Sequence, residues 1–219
     1  MSINKKKNAL EIAKRLEKRY PEAQCSLEYK EDPWKLLVMS RLSAQCTDAR
    51  VNIVSKELFK KYPNVYAMSE AKTEDIEKLI FSCGLYKTKA RDLCKMCKQL
   101  TENFGGKVPD NMKDLLSLAG VGRKIANLML GDVFGKGGIV ADTHCIRISG
   151  KLGLTDSSNQ TVVERELDKI IPKDMQTDFC HRLVHFGREV CTARNPACTE
   201  CFLCDVCPSC EKVKNKKAR

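Results

Sequence analysis

The sequence predicts an all-α fold, and three observations support that reading. Apolar residues recur at spacings of three and four through the first 190 residues, strand-like alternation is nearly absent, and glycine, proline and asparagine punctuate the pattern at short intervals. The 219 residues suffice for one large or two small domains, and at 42% hydrophobic and 31% charged the chain is too apolar for a disordered one. No apolar run approaches the roughly 18 residues of a membrane span. Met1 to Lys7 leads into Ala9-Leu10-Glu11 without an apolar leader, so the expected location is the cytoplasm.

Helical periodicity is clearest in Trp34 to Leu42 and in Val51 to Phe59. Breaks are predicted at Tyr62-Pro63-Asn64, Cys83-Gly84, Phe104-Gly105-Gly106, Ala119-Gly120, Gly135 to Gly138 and Ile171-Pro172. Roughly nine or ten short helices result. An excess of 39 Lys and Arg over 28 Asp and Glu leaves a net charge of +11, which suits a polyanion such as nucleic acid. Basic tails, Lys5-Lys6-Lys7 and Lys212 to Arg219, account for part of it.

Seven of the thirteen cysteines are scattered, and six fall within residues 191–210. Thiols in a reducing compartment are not expected to form disulfides, so metal is the better reading. Cys191, Cys198, Cys201 and Cys207 are spaced C-x6-C-x2-C-x5-C, with Cys204 and Cys210 interleaved. One loop wrapping one compact centre favours an iron-sulfur cubane over the paired knuckles of structural zinc, which stays open as the alternative. Cys94 and Cys97, and His181 and His185, read as structural pairs.

Leu115 to Asn127 reads as helix, tight hairpin, helix. Gly120 and Gly122 allow a phosphate to approach free N–H groups at the second helix's N-terminus, although an ordinary interhelical turn would use the same residues. Lys124 stands in the first turn, where the helix dipole disfavours its charge and makes a nucleophilic amine more accessible. Eighteen residues on, Asp142 precedes the periodic stretch Cys145 to Leu152 and is expected to N-cap that helix. A carboxylate so placed also suits stabilisation of a cationic sugar.

Leu118-Ala119-Gly120-Val121-Gly122-Arg123-Lys124, Asp142-Thr143-His144 and the four-cysteine spacing resemble the endonuclease III branch of helix-hairpin-helix DNA glycosylases. Ser43-Ala44-Gln45-Cys46-Thr47-Asp48 and Gly84 to Ala90 match that family in the same order. The resemblance implies two helical domains with a DNA cleft between them. One is a six-helix domain at residues 23–134 with the hairpin near 111–134; the other, an iron-sulfur domain, joins residues 1–22 to 135–211 ahead of a basic tail at 212–219.

It further implies a bifunctional glycosylase and abasic-site lyase that flips oxidised pyrimidines out of duplex DNA. Lys124 would attack the sugar and Asp142 would assist base loss. Gln45 and Leu85 would fill the vacated space, and Gly120, Val121, Gly122 and Arg194 would contact the DNA backbone. Cys191, Cys198, Cys201 and Cys207 would hold a [4Fe-4S] cluster. The implied partner is duplex DNA with damaged bases or abasic sites, bound by a monomer at the nucleoid.

Two positions depart from the family pattern: Ala119 stands where proline is usual, and Ala141 where valine is frequent. Cys204 and Cys210 are extra to the four-ligand pattern. A sister branch that excises undamaged adenine lacks the lysine, whereas a non-catalytic hairpin module with a zinc knuckle would need neither Lys124 nor Asp142.

Overall fold

The computed structural model describes residues 3–210, and the basic tail at 212–219 lies outside them. The described residues form eleven α-helices and four short 3-10 turns, with no strand among them. In chain order the helices are α1 (Ile3–Arg19), α2 (Pro33–Leu42), α3 (Asp48–Lys61), α4 (Val65–Ser69), α5 (Thr73–Ile80), α6 (Tyr86–Phe104), α7 (Met112–Ser117), α8 (Arg123–Asp132), α9 (Thr143–Lys151), α10 (Gln160–Ile170) and α11 (Gln176–Glu189). The count exceeds the expected nine or ten because α4 is only five residues long, too short for a periodicity to register. Two compact units result: Cys25–Phe134, and a second unit formed by the chain up to Gln24 and from Gly135 on.

Within Cys25–Phe134, α2 is the hub. Asp32 caps it, accepting from Trp34 N at 3.0 Å and Lys35 N at 3.3 Å, and Pro33 occupies the first turn, where a missing N–H costs nothing. Trp34, Leu36, Leu37, Val38, Met39 and Leu42 are buried on all sides of the helix, the pattern of a helix surrounded by others. Trp34 packs on Phe59 and donates through Nε1 to Cys97 Sγ at 3.4 Å. That contact confirms Cys97 as a core residue, and Cys94 is buried beside it. Thr47, Asn64 and Asn111 cap α3, α4 and α7 through their side chains. Helix α6 ends at Gly105, whose left-handed φ of +58° lets Gly106 N reach back to Leu100 O at 2.9 Å.

In the other unit α1 lies against α10 and α11, and α9 against α11. Ala9, Ile12, Ala13 and Leu16 form the buried stripe of α1, meeting a unit whose α11 buries Phe179, Leu183 and Phe186. Arg182 of α11 is buried and donates to Tyr20 O at 3.3 Å and to Asp178 at 3.2 Å. A side chain at Gly187 would meet His144 Nδ1 at 2.5 Å, so α9 and α11 approach as closely as glycine permits. His185 packs its ring near that of Tyr20, a structural role.

Candidate functional site

The hairpin between α7 and α8 is a tight turn: Val121 N donates to Leu118 O at 3.2 Å, and Gly120 has φ +73°. Gln99 of α6 braces it from below, accepting from Ala119 N at 2.7 Å and donating to Ser117 O at 3.0 Å. The turn is therefore held without the proline that the family pattern favours at position 119. Val121 is buried and its N–H closes the turn, so it shapes the hairpin from inside. Gly122 caps α8 with no side chain, and a Cβ built there would meet nothing within 4 Å. Gly122 and Arg123 are both exposed, so the N-terminus of α8 lies at the surface. Lys124, the second residue of α8, is exposed beside them.

Asp142 caps α9, accepting from Cys145 N at 2.7 Å through Oδ1, and is half-buried. The second carboxylate oxygen takes no part in that cap. Ile139, Val140 and Ala141 lead to it buried but without a strand ladder; the N–H groups of Ala141 and Asp142 bond to carbonyls two residues back. Lys124 and Asp142 belong to different units.

Gln45 and Leu85 share an unusual backbone state. Both are non-glycine residues with left-handed φ, +53° and +48°, which costs on the order of 1–3 kcal/mol each unless the surroundings impose it. Leu85 is 53% exposed, which overturns the core reading that its residue type alone suggests. Gln45 is exposed in the turn after α2 rather than on a helix. Phe81, 64% exposed, packs its ring at a tilt on that of Tyr86, the residue after Leu85, with centroids 4.8 Å apart; nothing local in the sequence marks it.

Cys191, Cys198, Cys201 and Cys207 line one cavity of about 110 Å³ whose other walls are largely apolar. Arg147 of α9 donates to Cys191 O at 2.6 Å and approaches Cys191 Sγ at 3.9 Å. Burial pushes the Cys191 thiol up, while Lys151 and Arg147 pull it down. Burial also raises the Cys201 thiol. Four thiols around a cavity fit an inorganic core.

Cys204 and Cys210 instead form a disulfide, with Cα atoms 5.3 Å apart. This corrects the expectation of reduced thiols throughout, because the folded loop holds the two residues within bridging distance. Arg194 is exposed in the loop between Cys191 and Cys198.

Residues 38–173 match the model of the HhH-GPD superfamily base excision DNA repair proteins, and residues 191–207 match the iron-sulfur binding domain of endonuclease III. The endonuclease III of Synechocystis is 44% identical over 207 residues, covering 94% of this chain and 94% of its own. The chain belongs to the endonuclease III family. The endonuclease III of Bacillus subtilis is 40% identical over 198 residues, covering 90% of each chain. A solved structure of a trapped endonuclease III–DNA covalent intermediate superposes with a TM-score of 0.89 at 38% identity, covering 95% of this chain and 98% of that one. Membership makes the protein a DNA glycosylase and abasic-site lyase of base excision repair, with a [4Fe-4S] cluster as cofactor.

Proposed function

We propose that this chain removes oxidised pyrimidines from duplex DNA through a Schiff base on Lys124 and then cleaves 3′ to the abasic site. The observation that carries this reading is an exposed amine, Lys124, in the first turn of α8 beside the open face of Gly122. A hairpin that only bound DNA would need the open N–H groups but not the amine. The α8 N–H groups would hold a backbone phosphate near Lys124. Lys124 Nζ would then attack C1′ as the glycosidic bond breaks, the electron pair leaving with the base. Loss of a proton from nitrogen and ring opening give an imine. Removal of a C2′ proton expels the 3′ phosphate.

Asp142 would stabilise the positive charge that develops on the sugar. Its Oδ1 is fixed by Cys145 N, so the carboxylate is already oriented before substrate arrives. Gln45 and Leu85 would fill the space left by the extruded base, offsetting the unstacking cost of a few kcal/mol.

Cys191, Cys198, Cys201 and Cys207 would ligate the cluster and so would hold the loop that bears Arg194, an exposed cation suited to a backbone phosphate. The Cys204–Cys210 disulfide leaves those two sulfurs out of the ligand set. We assign the active form as a monomer acting on chromosomal DNA at the nucleoid.

Borohydride trapping tests the proposal. Wild-type protein with a duplex containing an oxidised pyrimidine should become covalently attached to DNA. Lys124→Gln should lose attachment, base release and strand cleavage together. Base release by Lys124→Gln at near wild-type rate would make water the nucleophile and the enzyme monofunctional.

A further inference from the structure

Lys89, on α6 four residues after Leu85, is fully buried, the one buried lysine among the described residues. Its Nζ donates to Leu42 O at 2.8 Å and to Cys83 O at 2.7 Å. Both partners are backbone carbonyls. Burying an ammonium on carbonyls alone is costly, and a leucine or methionine would fill the same core more cheaply. The positions of the carbonyls explain the charge. Leu42 is the last residue of α2, and Cys83 ends the 3-10 turn Phe81–Cys83. Terminal carbonyls lack helical donors and carry the negative end of the helix dipole, so one cation satisfies two helix ends at once.

Each of those ends leads directly into Gln45 or Leu85, both left-handed. Gln45 comes three residues after Leu42, and Leu85 two residues after Cys83. Lys89 also grips the second turn through its backbone, since Lys89 N donates to Leu85 O at 3.0 Å. Burial disfavours the charge on this ammonium most, and Arg41 adds to that, while Cys83 and Cys46 act in the opposite direction.

We propose that Lys89 is a positioning residue for the repair reaction: its buried ammonium ties the roots of the Gln45 and Leu85 turns to one point on α6, so both side chains are set before DNA binds. The inference rests on reading Gln45 and Leu85 as the groups that refill the duplex. Turns already fixed in the bound conformation need no ordering on binding, so the benefit falls on complexes in which a base has left the stack.

Lys89→Met keeps most of the length of the side chain, ending one atom short, and deletes the donors. Its preference for a duplex with an abasic-site analogue over undamaged duplex should fall about tenfold. Cleavage at an abasic site in a single strand, which has no stack to refill, should fall less than cleavage in duplex. In a Gln45→Ala, Leu85→Ala background the same substitution should change the preference by less than about twofold, because the groups it positions are gone. Lys89→Gln, which retains donors without charge, should fall between wild type and Lys89→Met.

An unaltered preference in Lys89→Met, or an undiminished effect in the double-variant background, overturns the inference while leaving the refilling role intact. An unaltered preference in the Gln45→Ala, Leu85→Ala protein removes that role, and this inference with it. Should both Lys89 variants fail to fold, ¹⁵N-lysine NMR of the wild type decides. A protected Lys89 ammonium signal that shifts on binding the abasic-analogue duplex, and not on binding undamaged duplex, supports the inference. A signal that responds equally to both refutes it.

Discussion

Gly120 and Arg41 occupy one another's space. A Cβ built on Gly120 would lie 2.6 Å from Arg41 Nε, and that same nitrogen donates to Asp92 Oδ2 at 2.8 Å. The hairpin therefore rests on an ion pair that is itself largely shielded, with Arg41 NH2 2.6 Å from Asp92 Oδ2. Gly120→Ala has no easy relief, because moving Arg41 breaks the pair and φ +73° is strained for alanine. A loss of about 2 kcal/mol is expected, from strain and overpacking together. Thermal denaturation measures it, and lyase activity should fall in the surviving folded fraction as the turn shifts.

Asp142 caps α9, and on the proposed reading it also stabilises the sugar cation, two duties that substitution can separate. Asparagine is as good an N-cap as aspartate, so Asp142→Asn should fold normally and keep the bond to Cys145 N. Base release should slow far more than strand cleavage at an abasic site already made, because an abasic aldehyde condenses with Lys124 without a base to expel. Asp142→Ala should lose about 1 kcal/mol of stability in addition. Equal slowing of both steps in Asp142→Asn would contradict the charge-stabilising role.

The cysteine segment makes a colour test possible. Anaerobically purified protein should be brown and contain iron and sulfide, with Cys198→Ser bleached and its C-terminal segment unfolded. Cys204→Ser should keep the colour, since Cys204 bonds to Cys210 and not to the cluster. Stoichiometric zinc without sulfide would overturn the ligand assignment.

Stability at high pH should report on Cys97. Burial pushes its thiol up to about 12, against the partial relief of the Trp34 contact. In the unfolded chain the thiol ionises near its ordinary value of about 8.5. Between these values the unfolded state binds fewer protons than the folded one, so stability is full below about 8.5 and falls as pH rises toward 12. Trp34, the sole tryptophan, packs in the same unit and reports its unfolding by fluorescence. Cys97→Ala should flatten the alkaline fall. A Cys97→Ala profile parallel to wild type would place the cause elsewhere.

What the sequence made legible was chemistry confined to a few neighbouring residues. Gly120 was recognisable because a tight turn demands a left-handed residue, Asp142 because helix N-termini demand an acceptor, and the cysteine spacing because one cluster needs thiols from one loop. Lys89 was not. It stands two residues from Lys87, and only tertiary convergence of two helix ends separates a buried ammonium from an exposed one. Leu85 is legible only through the resemblance, since leucine by type reads as core, yet this one is left-handed and exposed. The Cys204–Cys210 disulfide escaped because redox compartment argues about thiols in general, whereas proximity within a folded loop decides the particular pair.

Helix α6 begins immediately after Leu85 and then presents Lys89, Asp92 and Gln99 to the Gln45 turn, the Arg41 contact and the hairpin in succession. At 1.5 Å per residue and 3.6 residues per turn, Asp92 and Gln99 fall on nearly the same face about 10 Å apart. The helix is thus a ruler, and the distance from Leu85 to the hairpin is graduated in peptide units. One residue inserted between Asp92 and Gln99 would rotate the brace by about 100° and take the hairpin out of step with the leucine. Side chains along the exposed face of α6 can change without altering this spacing, whereas its length cannot.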